Sequence, residues 1–393
     1  MLTDAYVTGM GVISAIGRSV GENLHALLHK QSGITAVAAG PGKEAVMAGR
    51  VAFDDATLAR DLGFSRLPVS RTSLLGMTAA LEAWGDNRHI PGLKTGLIAS
   101  TSVGGMDKSE VFYDDFLAGR PADYGVLVCH DSGTTSETIA EFLGISGYVN
   151  TISTACSSGA NAIMLGARLL RSGRLDRVLV GGSDALTRFT INGFESLMIY
   201  DSEWTRPFDE ARKGLNLGEG AAFLLMESEK SFQVTGNRPL GRVRGWGNAA
   251  DAYHQTASSP EGKGATLAIA EAIRTAGLTP ADISYVNAHG TGTPNNDLSE
   301  SVALKNVFGA SVPFFSSTKA FTGHTLAAAG AIEAVYSLLA IKEGMIWPNL
   351  NFAEAIRDTG LVPVTEPGKC TVDAVLSNSF GFGGNNSSLV FTL

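Results

Sequence analysis

Residues 147–175 read GYVNTISTACSSGANAIMLGARLLRSGRL, and residues 314–345 read FFSSTKAFTGHTLAAAGAIEAVYSLLAIKEGM. Each stretch opens on a short apolar run, crosses a turn of small polar residues and continues into a long segment rich in Ala, Gly, Ile and Leu. Short runs of β-branched and aromatic residues bounded by turn residues read as strands, and the longer segments read as helices. Both helical segments stop at a glycine, Gly173 in one and Gly344 in the other, the residue suited to a left-handed cap. Two copies of one strand–turn–helix unit indicate an internal duplication. Cys156 lies in the turn of the first copy and His324 in the matching turn of the second. The division falls near Gly236–Arg242, which gives an N-terminal half, 1–237, and a C-terminal half, 238–393.

Outward from these units, the pattern predicts further strands over Ala5–Val12, Thr95–Ala99, Val178–Gly181, Ala221–Met226, Tyr285–Ala288, Val375–Ser379 and Ser388–Leu393. It predicts helices over Gly21–His29, Arg71–Trp84, Thr135–Leu143, Ser157–Arg171, Gly264–Ala276, Leu298–Val307 and Thr325–Lys342. This alternation specifies an α/β class with helices covering mixed sheets. The helices that follow Cys156 and His324 are lined by Ala and Gly and are too apolar for a surface position, which places both at the centre of the molecule.

Composition narrows the function. Hydrophobic residues make up 44% and charged residues 17% of 393 residues, a balance that favours a large core and a buried subunit interface. A net charge of −8 argues against nucleic acid as a main partner. Cys129, Cys156 and Cys370 are odd in number and cannot make an even disulfide framework, and no Cys/His cluster has metal-ligand spacing. No run of 18 or more apolar residues suggests a membrane span, and Met1–Asp4 does not open a signal peptide. A reduced cytoplasmic setting is the expectation.

Three places carry chemistry. Cys156 sits in Thr154-Ala155-Cys156-Ser157-Ser158-Gly159, between a strand and a helix. A helix start offers free backbone N–H groups and a positive dipole end, which lower a thiol pKa and can bind an oxyanion. The competing reading is a buried structural cysteine. His289 lies in Asn287-Ala288-His289-Gly290-Thr291-Gly292-Thr293-Pro294. His324 lies in Lys319-Ala320-Phe321-Thr322-Gly323-His324-Thr325 at an expected helix start, which favours a neutral imidazole able to donate to a developing oxyanion. Each histidine alone also reads as a satisfied core or loop residue. The glycine loop Asn378–Asn386 precedes a strand rather than a helix, so it is not a nucleotide-binding loop. It reads either as a plain hairpin or as a turn whose backbone N–H groups can approach a reacting carbonyl.

Together these motifs, with Val7–Gly11, Arg206-Pro207-Phe208-Asp209, Gly214 and Gly218-Glu219-Gly220, resemble the β-ketoacyl–acyl carrier protein synthases of the elongating type, on the thiolase fold. The resemblance implies a duplicated five-layer α-β-α-β-α architecture with mixed sheets. It implies a decarboxylative Claisen condensation between an acyl group on Cys156 and malonyl–acyl carrier protein, giving 3-oxoacyl–acyl carrier protein and carbon dioxide. His289 and His324 would be the histidine pair, supported by Lys319 and Glu333. The backbone N–H groups of Cys156 and Phe382 would form the oxyanion hole. Phe382 would gate an acyl pocket shared with Phe380 and Met106, and Thr291 and Thr293 would hold the phosphopantetheine arm. No metal or other cofactor is implied.

The family's partners are an acidic acyl carrier protein and a second ketosynthase-like chain, either identical or a chain-length factor. A carrier-protein landing patch is expected among Arg66, Arg71, Arg206 and Lys213. The same chemistry in primary fatty acid synthesis, or in a polyketide or aryl polyene pathway, fits the motifs; a non-catalytic chain-length factor fits them less well. Two departures stand out. Family members commonly carry Thr where this chain has Asn385, and the segment Val103–Leu117 brings Met106, Phe112, Tyr113 and Phe116 to the expected acyl pocket.

Overall fold

In the computed structural model, which describes residues 4–40, 44–87 and 89–393, the apolar runs pair into one long sheet. Its strands are β1 (Ala5–Ile13), β2 (Thr95–Ser100), β3 (Tyr148–Ile152), β4 (Arg177–Asp184), β5 (Gly220–Glu227), β6 (Gly241–Ala250), β7 (Tyr285–Asn287), β8 (Phe314–Ser316), β9 (Ala374–Gly381) and β10 (Asn385–Thr392). Six helices complete the repeated core: α1 (Arg71–Trp84), α2 (Ser132–Leu143), α3 (Ser158–Arg171), α4 (Lys263–Ala276), α5 (Pro294–Phe308) and α6 (Ala329–Glu343).

The strand order is β3-β2-β4-β5-β1-β6-β10-β9-β7-β8. Read outward from the centre, one side runs β1-β5-β4-β2-β3 and the other β6-β10-β9-β7-β8, so each strand matches the one five numbers on. Directions repeat as well. The two inner pairings on each side are antiparallel and the two outer ones parallel. The sides join where Ala5–Val7 pairs with Gly241–Val243.

β6 is absent from the sequence pattern because its buried face is nearly side-chain-free. Gly241, Val243, Gly245 and Gly247 point inward, while Arg242, Arg244 and Trp246 are half-buried and Asn248 is exposed. A Cβ on Gly247 would lie 2.1 Å from the Ala268 carbonyl oxygen of α4. The helix therefore rests directly on the strand, and alternation of large apolar residues cannot develop.

The same principle builds the centre. α3 and α6 pack against each other, and each touches strands from both sides of the sheet. A Cβ on Gly159 would come within 2.8 Å of the Ala331 nitrogen, and one on Gly330 within 2.8 Å of the Ala160 nitrogen. This reciprocal contact brings the segments that follow Cys156 and His324 to backbone distance.

Arg71 requires a correction. It is buried at the start of α1, not presented to a partner. Its guanidinium bonds to Glu219 at 2.6 and 2.9 Å and to Asp55 at 2.8 Å. Glu219 also accepts the backbone N–H groups of Val51 and Leu186, each at 3.0 Å. Removing one member of a buried pair strands the other charge, so Glu219→Ala is expected to destabilise the fold by about 3–5 kcal/mol. Urea unfolding checks this, and a loss under about 1 kcal/mol would show that water reaches the pair.

Candidate active site

The turn after β3 presents Cys156. Ala155 holds a left-handed backbone (φ 52°), and the Ser158 hydroxyl bonds the Thr154 N–H at 2.8 Å. The backbone N–H groups of Phe382 and of Cys156 itself favour the thiolate form of the sulfur. α3 begins only at Ser158, and the sulfur is buried. Burial pushes the thiol up to about 12, with Lys319 pulling down and Asp184 pushing up further. The helix-start argument required the opposite direction; the helix begins beyond Cys156, and burial disfavours the thiolate.

His289 follows β7 and is buried. The Lys319 Nζ bonds its carbonyl oxygen at 2.5 Å and lies 3.3 Å from its Nδ1. Lys319 also bonds Glu333, whose carboxyl burial pushes up to about 7. The His324 ring meets the His289 ring edge-on, with centroids 5.4 Å apart. His324 does not sit on a helix start. It bonds through its backbone to Asn216 and Gly218, and a 3-10 turn, Leu326–Ala328, separates it from α6. Both rings are held well below the ordinary 6.5, first by burial and then by the Lys319 charge. The neutral His324 imidazole expected from the sequence thus arises from a different cause, which His289 shares.

Because folding depresses both values, the rings stay neutral as pH falls through 6.5. Of the seven histidines, two are expected to keep neutral-ring NMR shifts between about pH 8 and about pH 5.5. Titration of all seven near 6.5 would contradict this.

One cavity of about 260 Å3 is lined by Cys156, His289, His324, Thr291, Thr293, Phe380 and Phe382. The Thr291 and Thr293 hydroxyls bond each other at 2.8 Å. Its mouth carries Met198 and Lys213. Beyond Cys156 and Phe382 lies a second cavity of about 510 Å3, bounded by Val103, Phe194, Leu197 and Phe189. Phe382 stacks on Phe194 at 5.6 Å and stands between the two spaces. Met106 belongs to neither. It lines a third cavity of about 560 Å3 with Phe112 and Tyr113 on the helix Met106–Leu117, which meets the second only at Phe189.

Of the expected landing residues, Lys213 reaches the mouth and shares Glu203 with Arg206, each at 3.5 Å. Arg66 is exposed, pairs with Glu141 and does not line the mouth. The Asp209 carboxylate, in the same motif as Arg206, accepts the N–H groups of Ala353 and Glu354 at 2.6 and 3.0 Å.

Sequence reasoning missed three buried carboxylates. Glu300 accepts from the His289 and Gly290 N–H groups and from Asn378 at 2.9, 2.8 and 3.0 Å. Asp297 accepts from the Thr291 and Phe208 N–H groups at 2.9 and 2.7 Å. Asp184 ties Thr101 and Ser102 to Ala327. Acidic residues spaced i, i+3 in the helix after a glycine-rich His loop were the available signal for the first two.

Residues 3–231 match the family model for the N-terminal domain of β-ketoacyl synthases, and residues 240–353 match the model for the C-terminal domain. The chain belongs to the β-ketoacyl synthase family. It is 36% identical over 312 residues to a 3-oxoacyl-[acyl-carrier-protein] synthase 2 of Staphylococcus aureus, covering 76% of this chain and 77% of the relative. It is 32% identical over 412 residues to the synthase of the same name from Coxiella burnetii, covering 98% and 97%. Among solved structures, the ishigamide ketosynthase/chain length factor superimposes with a TM-score of 0.92 at 31% identity, covering 100% of this chain and 99% of the other. The thiolase-like α/β architecture expected from the motifs is therefore that of the fold's relatives.

Proposed function

We propose that this protein condenses a Cys156-bound acyl group with malonyl–acyl carrier protein, releasing carbon dioxide and forming 3-oxoacyl–acyl carrier protein. The observation that carries the reading is the convergence of Cys156, His289 and His324 on one cavity, with Lys319 and Glu333 behind them. In the first half-reaction the acyl thioester carbonyl enters the Cys156 and Phe382 N–H pair. Sulfur attacks, the pantetheine sulfur leaves, and the thiol proton ends on that leaving sulfur.

In the second half-reaction the neutral imidazoles donate to the malonyl thioester oxygen. Carbon dioxide departs, the enolate carbon attacks the Cys156 thioester, and Cys156 is released and takes a proton from solvent. Each well-placed donor supplies about 3 kcal/mol. The Lys319 ammonium disfavours protonated rings and holds His289 in place. Thr291 and Thr293 line the path of the pantetheine arm, and Phe382 gates the passage to the second cavity. The scheme needs no metal, flavin or nicotinamide.

We further assign the halves 1–237 and 238–393 as the two thiolase-like units, and a cytoplasmic location. Among the described residues no helix is long and apolar enough to cross a membrane. Lys213 and Arg206 form the reduced landing patch for an acidic carrier protein. A partner chain covers the exposed apolar side chains Val111, Tyr113, Phe116 and Leu117 on the helix Met106–Leu117. The likeness to a ketosynthase/chain length factor favours a chain-length-factor partner, as in polyketide or aryl polyene assembly, over an identical copy. Mass spectrometry of products made from malonyl carrier protein with saturated, unsaturated and aryl primers tests the reading. Extended 3-oxoacyl products support it, and primers returned unchanged would overturn it.

A further inference from the structure

We infer that Asn385 is a positioning residue whose side-chain carbonyl sets the spacing between the Cys156 and Phe382 N–H groups. The inference rests on the functional reading above. Those two donors come from opposite halves of the chain, yet one oxygen must bridge them, and a small lateral slip would misplace one of them. Among the described residues no backbone–backbone bond joins the Cys156 turn to the Phe382 turn. Side chains make the connection.

Asn385 Oδ1 accepts from the Ser157 hydroxyl at 2.8 Å and from the Asn161 and Asn248 amides at 2.9 Å each. Ser157 is the residue after Cys156, Asn161 lies on α3, and Asn248 lies on β6. Asn385 itself opens β10 directly after the 3-10 turn Phe382–Gly384. The cluster closes on itself. Asn161 donates to the Thr154 hydroxyl at 2.8 Å, Ser387 to Asn161 Oδ1 at 2.7 Å, and Asn248 to Ser387 at 2.8 Å.

The other bonds of the Phe382 turn lead away from Cys156: the Gly383 N–H donates to the Gln255 carbonyl at 2.7 Å and the Asp251 N–H to the Gly384 carbonyl at 2.9 Å. Gly383 and Gly384 hold left-handed backbones at φ 81° and 77° and contribute no side chains. A Cβ on Gly381 would lie 2.9 Å from the Thr154 oxygen and 3.2 Å from the Cys156 nitrogen, so the two turns touch and any slip moves a donor. The amides of Asn161 and Asn248 both need an acceptor with reach. A carbonyl one methylene out from the backbone provides it; the hydroxyl of the Thr commonly found here in the family sits on Cβ itself and is shorter.

The two half-reactions separate this role from a merely structural one, because decarboxylation depends on the histidines and acyl transfer on the N–H pair. N385L keeps the size and loses the acceptor. It is expected to slow acyl transfer to Cys156 by about tenfold or more, with primer-free carbon dioxide release from malonyl carrier protein within about twofold of wild type. N385D restores the acceptor and is expected to return acyl transfer to within about threefold. Asn248 is exposed, so N248A tests the same network if N385L fails to fold, with about a threefold loss confined to acyl transfer. Wild-type acyl transfer in N385L, or N248A where that variant stands in, would overturn the assignment, as would equal loss of both half-reactions. If the wild-type enzyme itself does not load Cys156, the functional reading fails as well.

Discussion

Cys156→Ala is expected to abolish acyl transfer and to lower condensation by at least about four orders of magnitude, as loss of a covalent nucleophile does. No other thiol can replace it. Cys129 is buried in the 3-10 helix Tyr124–His130, and Cys370 adjoins the short strand Gly368–Lys369; neither lines the cavity with the histidines. Burial raises all three thiols above the ordinary value of 9. Preferential iodoacetamide labelling of Cys156, which an acidic thiol would give, is therefore not expected in the resting enzyme. Reactivity comes from the bound thioester, whose oxygen meets two preset donors. The check is intact-mass analysis after incubation with acyl carrier protein: wild type gains one acyl group and the variant gains none. Acyl transfer to the variant would place the nucleophile elsewhere.

His324→Ala is expected to slow malonyl decarboxylation by about 100- to 1000-fold, the effect of losing one oxyanion donor, while acyl transfer to Cys156 falls by less than about tenfold. The asymmetry follows from the geometry. His324 meets His289 edge-on within the cavity, whereas the backbone N–H groups of Phe382 and Cys156 act on the sulfur, favouring its thiolate form. Lys319 holds His289 but makes no hydrogen bond to His324, so His289 cannot simply shift to do both tasks. Carbon dioxide release and single-turnover acylation, measured separately, give the two numbers. Equal losses would mean that the histidines serve both half-reactions.

The duplication, the strand–turn–helix units and the Cys/His/His set were legible because glycine and alanine at close-packing positions leave a compositional trace. Gly159 and Gly330 are the clearest cases: each permits the backbone contact between α3 and α6 that brings the two turns together. The same preference hid β6, where glycines replace the apolar side chains that mark a strand. Charge states were the least legible feature. A local reading of Cys156 and His324 invoked helix dipoles, but the helices start later, and burial sets all three groups, reinforced by Lys319 at the two histidines and opposed by it at Cys156. Arg71 was misread for a related reason: its partner, Glu219, lies far along the chain and nothing near Arg71 announces it. Asn385 was visible only as a departure, and its meaning depends on Ser157, Asn161 and Asn248, which only the fold assembles.

The central claim is that one sulfur and two imidazoles from distant parts of the chain act on a single thioester. Loading Cys156 with a labelled acyl group and then adding malonyl carrier protein tests it in one experiment. The account predicts that the label leaves Cys156 as a 3-oxoacyl carrier protein, with one carbon dioxide released for each label transferred. Label that stays on Cys156 while carbon dioxide is released, or that leaves as free acid, would contradict it.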